Sequence, residues 1–139
     1  MSNPFISVIT PTFGRANKVI TAINSVINQS FKKFEHIIVD DNGLDTANQI
    51  STYQAITEYD DKRIIYSPLD NNSGACAARN KGIELSKGEY VVFLDDDDKF
   101  PNLFLEHYIN NIHYLNNSKD PFSFLFIPYE NNIFTKNII

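Results

Sequence analysis

The chain has 139 residues, 42% apolar and 21% charged, with a formal net charge of −5 from 17 acidic and 12 basic residues. That is enough chain for one globular domain with its own core. The acidic balance argues against a nucleic-acid binder, which needs a basic face, so a phosphate ligand would need local help from a metal, an arginine or a helix N-terminus.

The first strand is Phe5-Ile6-Ser7-Val8-Ile9, ending in Thr10-Pro11-Thr12. Gly14 marks a turn. Arg15 to Gln29 then carries Val19, Ile20, Ile23, Val26 and Ile27 at spacings of three and four, which predicts a helix with one apolar face. Phe34 to Val39 reads as a second strand, ending in Asp40-Asp41-Asn42-Gly43. Leu44 to Tyr59 is a weaker helix with Ile50, Tyr53 and Ile56 spaced for one side, and Arg63 to Tyr66 is a short strand closed by Ser67-Pro68.

The loop Asn71-Asn72-Ser73-Gly74 feeds a helix over Ala75 to Ser86, with Asn72 or Ser73 as its cap and Gly88 in a left-handed conformation just past its end. The small residues at its start let it approach a sheet or a ligand closely, and simple packing explains the alanines equally well. Tyr90 to Leu94 is short, continuously apolar and rich in β-branched and aromatic residues, so it reads as a strand buried on both faces. Pro101 suits the first turn of a helix to about Asn116, which would bury Leu103, Phe104, Tyr108, Ile112 and Leu115. From Pro121 the pattern loses its helical period, and Phe122 to Ile127 reads as a fifth strand.

Alternating strands and helices predict an α/β domain with a mostly parallel sheet flanked by helices. Its core spans about residues 5–117, and 118–139 forms either the start of a further region or an apolar tail. Ligands of such sheets bind beyond the carboxyl ends of the strands, near the switch in strand order. Here those ends carry Thr12, Asp40-Asp41 and the run Asp95-Asp96-Asp97-Asp98. Crowded carboxylates raise one another's protonation unless a cation compensates. Oxygen-only ligands suit hard ions, so the run predicts an Mg²⁺ or Mn²⁺ site. A surface turn is the plainer alternative.

Other chemistries fit poorly. A calcium loop starting at Asp95 fails at Lys99 and at Phe100, where glycine is needed. His107 and His113 lie on different helix faces, and His36 sits inside a strand. No phosphate-binding Gly-x-x-x-x-Gly-Lys-Ser/Thr loop and no Gly-x-Ser-x-Gly elbow occurs. Lone Cys76 lacks a base partner and reads as inert packing. It cannot form an internal disulfide, which fits a reducing compartment. The start Met1-Ser2-Asn3-Pro4 lacks the features of a signal peptide, and no apolar run approaches the ~20 residues that span a bilayer. The expected location is cytoplasmic, with the inner face of the membrane as a second option.

Five segments together resemble the family 2 glycosyltransferases: Ser7 to Arg15, Ser25 to Phe31, Phe34 to Asp41, Asn72 to Ile83, and Gly88 to Asp98. Their order and spacing carry the resemblance, over about residues 5–110. It implies a GT-A (Rossmann-like) fold, truncated at the C-terminus, that binds a nucleotide-diphosphate sugar with Mn²⁺ or Mg²⁺. It implies that Asp41 accepts a hydrogen bond from the base, with uracil N3–H as a suitable donor. Pro11 and Thr12 would line base and ribose. Arg15 and Arg79 would reach the nucleotide or diphosphate, although a salt bridge to an aspartate explains Arg79 equally well.

Asp95-Asp96-Asp97 matches the family's Asp-x-Asp (DXD) motif. Asp97 would be the direct metal ligand, and Asp95 and Asp96 would contact hydroxyls or metal-bound water. The implied activity is inverting transfer from a UDP-sugar to a glycan or lipid-linked acceptor, as in polysaccharide biosynthesis. The general base is expected outside this chain, since nothing marks Glu106 or Glu130. The competing expectations are a non-catalytic nucleotide-sugar-binding module and, more remotely, a receiver-like or phosphatase-like domain. The apolar tail allows a homo-oligomer.

Overall fold

The structure, a computed structural model, describes residues 4–116, with side chains up to residue 112. Four strands and four helices alternate: β1 (Ile6–Thr12), α1 (Ala16–Ile27), β2 (Phe34–Asp40), α2 (Ala47–Thr57), β3 (Ile64–Pro68), α3 (Ala75–Leu85), β4 (Tyr90–Phe93) and α4 (Phe104–Asn116). The sheet order is β3-β2-β1-β4, and every pairing is parallel. The expected α/β class and mostly parallel sheet are therefore present. The proposed fifth strand and the 118–139 region lie outside the described residues.

Alternating side chains divide the core between two faces. On one, Ile6, Val8, Phe34 and Val92 pack with Ala22 and Val26 of α1 and Leu105 of α4. Val19, Ile23 and Ile38 join Ile56 of α2 nearby. On the other face, Ile37 and Val39 meet Ala78 of α3. Gly82 lets α3 lie close there, since a Cβ would stand 2.3 Å from Ile9 Cγ2. At Gly88 a Cβ would stand 2.6 Å from Ser7 N and 2.7 Å from Ile6 C.

Gly88 is thus required by close approach to β1, not by a left-handed φ, which the structure reserves for Gly14, Gly43 and Gly74 among the glycines. α3 ends instead at Ser86, in extended backbone with ψ 134°.

Other expectations shift for physical reasons. α2 starts at Ala47, because Gly43 and Asp45 take positive φ and Thr46 caps the helix by accepting from Gln49 N at 3.2 Å. Its Ile50 and Tyr53 are about half exposed, and the helix buries Thr52 and Ile56. α4 begins at Phe104, after a turn that contains Pro101 and exposed Leu103, and it buries Leu105. β4 is buried on one face only: Val92 is covered and Phe93 is 44% exposed. It is an edge strand, and α3 packs over β1 and β2. Cys76 is exposed, not packed, because Ala78 and Gly82 hold the sheet-facing positions of α3. No helix among the described residues is long and apolar enough to cross a membrane.

Candidate functional site

The chain moves outward from β1 to β2 and β3, then returns to place β4 on the other side of β1. That switch opens a crevice above β1. Pairing with β4 stops at Ile9↔Phe93, while pairing with β2 runs on to Thr12↔Asp40. Pro11 lies beyond the last β4 pair, where its missing N–H leaves no ladder partner unmet. A pocket of about 270 Å³ occupies the gap. It is lined by all the sequence-nominated residues, Pro11, Thr12, Arg15, Asp41, Arg79, Asp95, Asp96 and Asp97, together with Phe13 and Ala75. Phe13 and Ala75 drew no role from sequence reasoning, although each adjoins a nominated segment.

The acid run enters this pocket from the end of β4. Leu94 N donates to Ile9 O at 3.0 Å, and Asp98 N closes a turn onto Asp95 O at 3.1 Å. Asp96 is 1% exposed and accepts from Thr12 Oγ1 at 2.7 Å. Burial pushes its carboxyl above the usual carboxylate range, while the Thr12 bond and the Arg15 charge pull the other way. Asp95 and Asp97 stand open to solvent.

Two arginines partly neutralise the run. Arg15, just ahead of α1, sets Nη1 2.8 Å from Asp97 Oδ2 and Nη2 3.1 Å from Asp96 Oδ1. Arg79 of α3 sets Nη2 2.7 Å from Asp95 Oδ1. The salt bridge weighed for Arg79 is thus present. Half-exposed pairs of this kind are worth little in stability, so their meaning lies in the site's charge. Two cations face four carboxylates, and Asp96 Oδ1 makes no hydrogen bond among the described residues, its contact with Arg15 being an ion pair only.

Asp41 is 4% exposed. Its Oδ1 accepts from Ser73 N at 2.7 Å and its Oδ2 from Gly74 N at 2.8 Å. Gly74 takes φ 88°, which glycine allows without strain, and leads directly into α3. Neither Asn72 nor Ser73 caps α3 with its side chain. Asp41 instead anchors, from another strand end, the two residues that lead into α3, placing an anion at a helix N-terminus. Each carboxylate oxygen keeps a second lone pair. Asn42 steadies the other side of the pocket by accepting from Gly14 N at 2.7 Å. Sequence reasoning gave Asn42 no role beyond its place in the strand end, and only its position beside Asp41 hinted at the site.

Among the described residues, no group of three or more His, Cys, Asp or Glu side chains could hold a metal alone. The donor set nevertheless suits a hard divalent ion. Mg²⁺-type sites commonly use one or two carboxylates, with phosphate oxygens and water completing the shell. Asp95 and Asp97 offer those carboxylates, and Asp96 Oδ1 is an unbonded buried oxygen beside them. Glu106 accepts from Ser30 Oγ at 2.7 Å on α4 and does not line the pocket. Glu130 lies outside the described residues. His36 is fully buried against Thr10, with Nε2 2.9 Å from Oγ1, and belongs to the core.

Residues 7–122 match the sequence model of the family described as Glycosyl transferase family 2. WcaA of Escherichia coli (strain K12), a glycosyl transferase assigned by name to colanic acid biosynthesis, is 44% identical over 110 residues, covering 76% of this chain and 38% of WcaA. The poly(ribitol-phosphate) beta-N-acetylglucosaminyltransferase TarP of Staphylococcus aureus (strain N315) is 40% identical over 111 residues, covering 76% of this chain and 32% of TarP. Among solved structures, S. aureus TarS 1-349 in complex with UDP-GlcNAc superposes with a TM-score of 0.67 at 33% identity, covering 78% of this chain and 31% of that one. The chain therefore spans about a third of the length of these relatives.

Proposed function

The chain belongs to glycosyl transferase family 2, and from that premise we propose that it holds the donor of a metal-dependent, inverting glycosyl transfer, a UDP-sugar, against Mn²⁺ or Mg²⁺. One observation carries the reading: a single pocket at the strand switch joins a carboxylate seated on a helix N-terminus, Asp41, to the acid run of Asp95 to Asp97. A nucleoside diphosphate has the matching polarity, with N–H donors on its base and a diphosphate at the other end. TarS has been solved with UDP and with UDP-GlcNAc, which makes these the first ligands to test.

In this reading Asp41 accepts from the base with the lone pairs its helix bonds leave free, and Pro11 and Thr12 line base and ribose. Arg79 turns from Asp95 toward the diphosphate, and Arg15 balances its far side. Asp97 and Asp95 hold the ion, and Asp96 stays fixed behind them on Thr12. When bound, the ion supplies Lewis-acid stabilisation of the departing diphosphate. The acceptor hydroxyl of a glycan or lipid-linked glycan attacks the anomeric carbon from the opposite face, which inverts it. The base for that step comes from chain beyond the described residues. At about 270 Å³ the pocket is below the usual range for small-molecule sites, about 300–1,000 Å³. Covering a whole nucleotide sugar needs that further chain as well.

Calorimetry with UDP and UDP-GlcNAc, with Mn²⁺ and with chelator, tests the proposal. Binding that needs the metal is expected. No binding at millimolar ligand, or binding indifferent to chelator, would overturn it. Binding of UDP-GlcNAc without hydrolysis or transfer would mark the chain as a donor-binding module.

A further inference from the structure

The segment Ser25 to Gln29 lies outside the pocket, yet Gln29 is fully buried although polar. Its Nε2 donates to Ser25 O at 2.9 Å and to Pro101 O at 2.7 Å, and its Oε1 accepts from Leu105 N at 3.0 Å. Ser25 Oγ accepts from Phe100 N at 3.0 Å and donates to Ala22 O at 2.8 Å. The far end of α1 therefore grips the backbone of residues 100–105, which follow the acid run and open α4. The near end of α1 grips the acid run itself, through Arg15. The 12-residue helix α1, about 18 Å long at 1.5 Å per residue, separates the two grips: Arg15 stands just before it, and Gln29 just after it beside Ser25 of its last turn.

An apolar side chain of similar volume would fill the place of Gln29. What the amide adds is direction: both its N–H groups and its carbonyl are aimed at named backbone atoms. Phe100, 7% exposed and stacked on Phe104 with centroids 4.0 Å apart, pulls the strap inward at the same point.

We infer that Gln29, supported by Ser25, is a positioning residue for Asp95 to Asp97. It sets the distance between the acid run and α4, and so the height at which the carboxylates meet a diphosphate. The inference rests on the proposed reading of the pocket as a UDP and metal site.

The test uses the whole chain, UDP with Mn²⁺, and calorimetry well below the melting temperature. Gln29→Met is compared with Leu85→Val or Leu85→Ala, whichever better matches its loss of melting temperature. Leu85 ends α3 and packs on the cluster of Ile37, Val39 and Ala78, which has no member in α1 or the strap. Gln29→Met is expected to weaken UDP–Mn²⁺ binding about tenfold, the lower end of what losing a group bonded directly to a metal ligand costs, because Gln29 acts through the backbone beyond Asp97. The control should stay within about twofold, as an independent site does. Amide exchange at Phe100 and Leu105 should quicken in Gln29→Met and not in the control.

Unchanged affinity in Gln29→Met, or an equal loss in the control, overturns the inference while leaving the pocket reading intact. Failure of the unmutated chain to bind UDP with Mn²⁺ takes down both. Should Gln29→Met not fold, Ser25→Ala removes the acceptor for Phe100 N together with one bond inside α1 to Ala22 O, and a normal affinity there is equally fatal.

Discussion

Replacing Asp41 separates its work in the fold from its work in the pocket. Asp41→Ala strips the partners from Ser73 N and Gly74 N, at 2.7 and 2.8 Å, and removes the anion at the start of α3. A lost hydrogen bond of this kind costs about 1 kcal/mol, and the anion at a helix N-terminus adds about 0.3–1 kcal/mol. Two amides lose their acceptor here, and water in the open pocket replaces part of the loss. The expected destabilisation is about 2 kcal/mol. For a folded unit of this size that lowers the melting temperature by roughly 6–10 °C.

Asp41→Asn keeps one acceptor but turns an amide N–H toward a backbone N–H, so it should fall between the two, at about 1.5 kcal/mol. Urea denaturation without ligand measures both. A loss below about 0.5 kcal/mol for Asp41→Ala, the level of an ordinary surface change, would refute the claim that this carboxylate holds α3. If the losses appear as worked, reduced UDP binding by the same variants must be corrected for the displaced helix before Asp41 is credited with reading a base.

Gly88→Ala should cost about 3 kcal/mol by overpacking, because its Cβ would meet the backbone of β1 at 2.6–2.7 Å and a central strand cannot retreat; urea denaturation with a loss under about 0.5 kcal/mol would contradict that contact. Burial of His36 lowers its pKa from 6.5 to about 3, so the unfolded chain takes up a proton that the folded chain refuses. Its contribution is intact above pH 6.5 and declines as the pH falls toward about 3, by up to about 1.4 kcal/mol per unit. Denaturation between pH 7 and 5 should show a flatter profile for His36→Leu than for the unmutated chain, and equal slopes would refute the assignment. Asp97→Ala should abolish the strengthening of UDP binding by Mn²⁺, measured by titration; an unchanged response would move the metal to other ligands.

The candidate site was largely legible because strand ends are local features. Apolar runs of four to seven residues followed by Thr12, Asp41 or Asp95 can be read without knowing the neighbours, and all these residues line one pocket. The partners of those side chains were hidden. Arg15 and Asp97 are 82 residues apart in sequence, Thr12 and Asp96 84. Nothing near Asp41 suggests that it anchors the entry to a helix 33 residues later. The spacing of Ile50 and Tyr53 indicated an apolar helix side, but burial is decided by what lies opposite, and Thr52 won that place.

By itself, then, the sequence determined the alternation of strands and helices, the parallel sheet that alternation demands, and the gathering of acids where strands end. Backbone geometry and side-chain periodicity act over a few residues, so they are written in neighbouring letters. Only the tertiary structure decided the β3-β2-β1-β4 order, the edge position of β4, the close seat of Gly88 on β1, and the grip of Gln29 on the chain beyond the acids. Those depend on which distant surfaces meet, and a short polar contact between segments leaves no local pattern to read.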